Sequence, residues 1–333
     1  FADRHRQMIT SGRFLAAGFP IRGETIEDQG AVWLARMRTM VEQWASEIGL
    51  GISDAIDQDI GIWEPFPPGE PIAVDVVIPF CVADREFVAE CVWAILGQRF
   101  VEPVVHVIAD GAPWPDLPTV DNLIRYETRG GWGPYRITNA VFPHFRSEWM
   151  AIQDADDISH PDRLWRQIQM LRHFDAEMIS SATQNFLDAG SQDDETLQRR
   201  LQSEPIVRPG TVYESVPLGR LVNSTRTMPR DLFRRLNGFG DQFCTGDFQF
   251  DNRARFVGIP IIDDQTVLAA RRLHSSSLTG GPFKIGTKQR AQDMGRCMVA
   301  VERMKAKPTI ETVRFLGGLD RAECLEPMQS SWG

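Results

Sequence analysis

Trp149-Met150-Ala151-Ile152-Gln153-Asp154-Ala155-Asp156-Asp157-Ile158-Ser159-His160-Pro161-Asp162-Arg163-Leu164 places a short apolar run, an acidic cluster and a helix start side by side. Trp149–Ile152 reads as a buried strand that runs straight into the acids. Three carboxylates at a strand end repel one another and are costly to desolvate, so the cluster predicts a bound cation. Hard cations such as Mg²⁺ or Mn²⁺ prefer oxygen ligands and are often held by one or two carboxylates together with substrate phosphates. Asp154 and Asp156 alternate along an extended segment and so face the same side. The other reading of the acids is a solvated turn capping the next helix. For that helix, Ser159 is the expected cap, Pro161 suits the first turn, and Asp162 stands three residues after the serine. Trp165, Ile168 and Leu171 continue its buried face.

Upstream of this stretch lies a strand–helix–strand pattern. Val74-Asp75-Val76-Val77-Ile78-Pro79 is short and β-branched, as in a buried strand. Phe87, Val88, Cys91, Val92, Ile95 and Leu96 share one helical face, and Val104–Ala109 forms a second strand ending at Asp110-Gly111. That order implies a right-handed βαβ unit in a parallel sheet, whose ligands bind beyond the carboxyl ends of the strands. Pro79, Phe80 and Asp110 are therefore the first candidates for nucleotide contact. Asp110 before glycine is equally readable as a turn residue. The glycine-rich Arg129-Gly130-Gly131-Trp132-Gly133-Pro134-Tyr135 reads either as a phosphate cradle built from backbone N–H groups or as a plain loop.

The flanks read as helical. Trp33, Met37, Met40, Trp44 and Ile48 recur on one face, packed on the main domain or forming a homo-oligomer contact. Pro65, Pro67, Pro68 and Pro71 make a stiff connector. Asp188–Ser203 is polar and reads as a loop or exposed helix, and Gln289–Met304 is amphipathic with Met294, Cys297, Val301 and Met304 inward. The resulting division is a helical extension over residues 1–70, a catalytic domain over 71–280 and a helical segment over 281–333.

The 333 residues are 42% hydrophobic and 24% charged, enough to bury a sizeable core. A formal net charge of -9 argues against a nucleic-acid partner. The five cysteines, Cys81, Cys91, Cys244, Cys297 and Cys324, include no CxxC pair. They fit a reducing compartment rather than a disulfide framework, with Cys81 and Cys91 in the core. No apolar run approaches the roughly 18 residues of a membrane span, and no signal-peptide pattern is visible. The expected location is the cytoplasm, free or peripheral to a membrane. The first residue is Phe1 rather than Met, which leaves a targeting segment or a fused domain open.

Taken together, these motifs resemble the family 2 glycosyltransferases with the GT-A fold over about residues 72 to 280. The opening strand, the helix Glu90–Gln98, the segment Gln153–Leu164, the turn Leu236-Asn237-Gly238-Phe239-Gly240, Gly246-Asp247-Phe248-Gln249-Phe250 and Arg272–Thr279 each have a counterpart there. The resemblance implies an α/β architecture with a Rossmann-like mixed sheet flanked by helices, and terminal helices added. It implies metal-dependent transfer from a nucleotide-diphosphate sugar to a glycan, lipid-linked or protein acceptor, with inversion. Asp156 would hold Mn²⁺ or Mg²⁺ with His274 as second ligand. Asp154 would sit near the ribose or sugar and Asp110 near the nucleoside. Arg136 and Asn139 would lie near the donor, and Asp247 would be the general base. Three departures stand out. Phe80-Cys81-Val82 replaces a small polar residue followed by Tyr and Asn. Ala109-Asp110-Gly111-Ala112 replaces two acids followed by Gly-Ser. Gly246 replaces the usual Glu. For Asp247 the other reading is a helix cap, and for His274 a solvated loop residue. Two further readings are a nucleotidyltransferase, disfavoured by the lack of a basic glycine-rich loop after Pro79, and a non-catalytic sugar- or protein-binding module on a decayed transferase fold.

Overall fold

A computed structural model describes residues 70–187, 212–213, 221–277 and 287–328. The N-terminal helical face and the Asp188–Ser203 segment lie outside the described residues. Among the described residues nine strands form one mixed sheet: β1 (Ile72–Phe80), β2 (Val101–Asp110), β3 (Leu123–Thr128), β4 (Trp149–Ile152), β5 (Ile158–Ser159), β6 (Met178–Leu187), β7 (Val212–Tyr213), β8 (Thr227–Pro229) and β9 (Ile261–Leu273). Their order is β3-β2-β1-β4-β8-β6-β9-β5, with β7 also on β9. β3, β2, β1 and β4 run parallel, β8 is antiparallel to β4 and β6, and β9 is parallel to β6. The helices are α1 (Val88–Leu96), α2 (Gly133–Val141), α3 (Arg163–His173), α4 (Arg230–Arg235), α5 (Gly246–Phe256), α6 (Lys288–Ala306) and α7 (Ile310–Leu316).

The continuous apolar reading of β1 follows from burial on both sheet faces. Val74, Val76 and Ile78 join Val92, Ile95, Leu164 and Ile168 of α1 and α3. Val77 points the other way, into a second core with Ile137, Met150, Phe233, Phe250, Met304 and Val313. Asp75 is the polar exception within β1. Its Oδ1 lies 2.8 Å from His106 Nε2, and its Oδ2 accepts the N–H groups of Arg146 and Ser147. α6 spans the expected amphipathic stretch Gln289–Met304, and α6 and α7 are each capped by a threonine hydroxyl, Thr287 and Thr309.

Two local expectations are corrected. Ser159 does not cap α3: it belongs to β5, pairs with Ala269, and donates its hydroxyl to Gln153 Oε1 at 2.6 Å. The helix starts one turn later, with Asp162 at the N-cap. Asp162 also pairs with Arg99, which holds the entry to α3 against the end of α1. Cys81 is half-buried rather than a core residue, whereas Cys91 is fully buried. Among the described residues no helix is long and apolar enough to cross a membrane.

Candidate active site

The carboxyl ends of β1 and β4 meet at the Gln153–Asp157 loop, where the Gln153 N–H donates to the Val77 carbonyl. This loop is tied down through its backbone, which leaves the carboxylates of Asp154 and Asp156 partly exposed, while Asp157 stays buried. Gln153 Nε2 donates to the carbonyls of Asp154 and Asp157 at 3.0 and 3.1 Å, and the Cys91 thiol reaches the Asp154 carbonyl at 3.4 Å. Beneath it lies the Arg163 guanidinium, fully buried, donating to the carbonyls of Ile152 and Ser224. Arg163 therefore holds the end of β4 to the Asn223–Thr225 turn and places a positive charge under the acids. Burial lowers its own pKa to about 10, opposed by the nearby Cys91, Asp157 and Asp154 groups.

The cluster draws on three distant parts of the chain. His274, just past β9, places Nε2 3.0 Å from Asp156 Oδ2 and Nδ1 2.8 Å from Ser276 Oγ. Its ring meets Phe87 edge-on at 4.8 Å, so both its nitrogens and its faces are positioned. Asp84 joins from the turn after β1, and the ligating atoms of Asp84, Asp156 and His274 all lie within 4.8 Å of one another. The same holds for Asp154, Asp156 and Asp157, so Asp156 is common to both groups. Burial first, then the charge on Asp156, raises the carboxyl of Asp84. Burial and then the charges on Asp157 and Asp156 raise Asp154, with Arg271 opposing. Asp157 is pushed up to about 7 by burial and by Asp156. These groups are crowded beyond what their arginine neighbours offset, which is the electrostatic state that a cation relieves. Several carboxylates with one imidazole fit Mg²⁺ or Mn²⁺ chemistry.

Arg272 locks β9 onto this loop. Its N–H donates to Asp157 Oδ1, its Nε to the Asp156 carbonyl, and its Nη2 pairs with Glu90 at 2.5 Å. The guanidinium lies between the rings of Phe87 and Phe186, at 4.6 and 4.7 Å.

Asp247 lines the same cleft as the acidic cluster. It lies in the first turn of α5, where the helix dipole favours its charge. The N-cap is Thr245, in the left-handed conformation, so Asp247 is not the cap residue. Instead, Asp247 Oδ1 accepts from the Tyr135 hydroxyl at 2.8 Å. The adjacent Gly246 lies against the Tyr135 ring so closely that a Cβ there would come within 2.6 Å of it. The missing glutamate at position 246 thus has a packing cause. A cleft of about 390 Å³ joins these elements, lined by Pro79, Asp84, Tyr135, Asp154, Asp156, Asp157, Asp247, Arg271 and Arg272, among others.

The structure brings together Pro79, Asp154, Asp156 and Asp247, with His274 on Asp156. The other sequence-derived candidates do not line this cleft. Phe80 is buried against Trp114, and the exposed Arg136 stacks on Trp132 at 4.4 Å. Asn139 is buried and engages the Phe239 backbone through both ends of its amide. Asp110 accepts from the Thr128 hydroxyl and from the N–H groups of Trp132 and Gly133. The glycine-rich loop therefore directs two of its N–H groups at an internal carboxylate, not at an open phosphate cradle. Gly111, at φ +67°, lets the two turns meet: a Cβ there would fall 2.7 Å from Gly130 Cα.

Asp84, Tyr135, Arg163 and Arg271 were not singled out as site residues. Asp84 had one signal, its spacing of three from Cys81: its Oδ2 accepts the Cys81 N–H at 3.1 Å. The Tyr135–Asp247 contact spans 112 residues of sequence and has no local signature.

Residues 75–236 match the model of a family described as glycosyl transferase family 2. No curated protein sequence matches the chain. Among solved structures, S. aureus TarS 1-349 in complex with UDP-GlcNAc is similar at 14% identity and a TM-score of 0.54, over 73% of this chain and 69% of that one. In another structure of S. aureus TarS, the likeness covers 73% of this chain but 41% of that longer one, at 13% identity and a TM-score of 0.50. A mannosyltransferase from Pyrobaculum calidifontis in complex with GDP-Man and Mn²⁺ is similar at 16% identity and a TM-score of 0.50, over 76% of this chain and 71% of that one.

Proposed function

We propose that this chain, whose residues 75–236 match the glycosyl transferase family 2 model and whose sheet has the GT-A fold, is a glycosyltransferase that uses a nucleotide-sugar donor and carries out metal-dependent, inverting transfer to a hydroxyl acceptor, with Asp247 as general base. The observation that carries this is the gathering of Asp84, Asp154, Asp156, Asp157 and Asp247 around one cleft, with His274 on Asp156. The neighbours' complexes with UDP-GlcNAc and with GDP-Man and Mn²⁺ support the donor class and a divalent ion. The family match over residues 75–236 supports sugar transfer over nucleotidyl transfer. The packing of Gly246 against Tyr135 removes the main reason for a decayed module.

Asp156 and His274 would hold Mn²⁺ or Mg²⁺, with Asp84 as a further ligand, and the ion would supply positive charge to the departing diphosphate. The residues of the chain do the rest. Asp247 takes the proton from the acceptor hydroxyl as the acceptor oxygen bonds to the sugar carbon. The bond from that carbon to the diphosphate breaks, and the electron pair leaves with the diphosphate. Tyr135 engages Oδ1 of Asp247, which fixes the carboxylate and leaves Oδ2 to face the acceptor. Arg271, on the cleft wall, adds fixed positive charge for the leaving group. Asp154 is placed for the ribose or sugar. Asp110 acts on the nucleoside end by shaping the glycine-rich loop.

Calorimetric titration with a panel of nucleoside diphosphates, with and without Mn²⁺, tests this. Binding of one nucleotide that requires Mn²⁺ and is lost in Asp156→Ala is the expected result. No nucleotide binding to the folded protein would overturn it.

A further inference from the structure

A mixed cluster stands apart from the cleft. His144 ends the 3-10 turn that follows α2, and Cys324 and Glu326 flank Leu325 in the segment after α7. Leu325 turns inward, its N–H bonding to the Ala140 carbonyl, while Cys324 and Glu326 both face out. Residues two apart on an extended segment share a side, so thiol and carboxylate project together beside the imidazole. The Cys324 Sγ lies 3.5 Å from His144 Nε2 and 3.8 Å from a Glu326 oxygen. The three ligating atoms lie within 4.8 Å of one another.

The two thiol separations, 3.5 and 3.8 Å, are close to those in a coordination sphere. With Zn–S near 2.3 Å and Zn–N or Zn–O near 2.0 to 2.1 Å, tetrahedral ligands stand about 3.5 Å apart. A thiolate, an imidazole and a carboxylate form a zinc donor set, softer than the carboxylate-rich cleft. We propose that His144, Cys324 and Glu326 form a structural zinc site that fastens the Ala322–Met328 segment to the end of α2. In the zinc-free protein His144 Nε2–H donates to the Leu325 carbonyl; zinc binding would release the Cys324 thiol proton to solvent and shift the imidazole proton to Nδ1, freeing Nε2 for the metal. The Leu325 carbonyl, now 2.8 Å from that nitrogen, or a water takes the fourth position. The site stands independently of the transferase reading, because none of its ligands lines the cleft.

Cobalt substitution tests it, since a thiolate on Co²⁺ gives a near-ultraviolet charge-transfer band that the cleft carboxylates cannot produce. The experiment uses the Asp156→Ala protein to weaken metal binding at the cleft. One equivalent of Co²⁺ is expected to give the band, and Zn²⁺ to bleach it. Cys324→Ser abolishes the band, and His144→Gln weakens zinc binding by roughly 100-fold. Zinc is also expected to slow proteolysis within residues 322–328, and the Cys324→Ser variant loses that protection. No band, or one undiminished by Cys324→Ser, would overturn the site. All three residues are partly or fully exposed, so the variants should fold.

Discussion

At position 246 a single methyl group would collide with the Tyr135 ring. Gly246→Ala must therefore push the tyrosine away or shift the first turn of α5, and either movement displaces Asp247. Overpacking of this kind costs about 1–3 kcal/mol. A misplacement near 1 Å at a reacting group costs on the order of 10²-fold in rate. The expected outcome is a folded protein with kcat reduced by about that factor, measured by steady-state kinetics beside a denaturant melt. Unchanged kcat would show that Asp247 is not the base or that the contact yields freely. Legibility in the sequence varies residue by residue. Asp156 was readable because three acids after an apolar strand have few benign explanations. His274 was readable only through its motif. Asp84 carries only the faint signal of its spacing from Cys81, which points to a local turn and not to a site.

At the level of elements, apolar runs predicted what packing later required. β1, β2, α1, α3 and α6 all lie where their buried faces placed them. The strand β3 was missed because it is an edge with one wetter side: Tyr126 and Thr128 are buried while Glu127 is exposed. The start of α3 was misplaced because Ser159 had a stronger partner in Gln153 than in a helix N–H group. The glycine-rich loop shows the same competition, since its N–H groups chose Asp110. Asp110→Ala removes the acceptor for Trp132 and Gly133, a loss of about 1–3 kcal/mol wherever those donors stay dry. Amide exchange should accelerate at residues 130–133 and nucleotide affinity should fall. Exchange rates identical to the wild type would mean that the loop holds its shape without the carboxylate.

For the whole molecule, the acidic cleft links stability to pH. Asp84, Asp154 and Asp157 are raised above the ordinary carboxylate value, Asp157 from 3.8 to about 7. The folded chain thus keeps protons that the unfolded chain releases, so stability falls as pH rises from about 4 through 7. In metal-free buffer the melting temperature should drop between pH 5 and 8, and drop less in Asp157→Asn. Added Mn²⁺ should restore it most at the higher pH. Superimposable profiles for wild type and Asp157→Asn would sink this account. The cluster also has a history written into chain order. Asp156 and His274 are 118 residues apart, and they meet only when β9 has docked along β6 and β5. Loops of that length close late, after local helices and neighbouring strands have formed. A cation held there as proposed would grip the finished fold rather than its nucleus. It would act as a latch, slowing the opening of the native protein and leaving the speed of its first assembly unchanged.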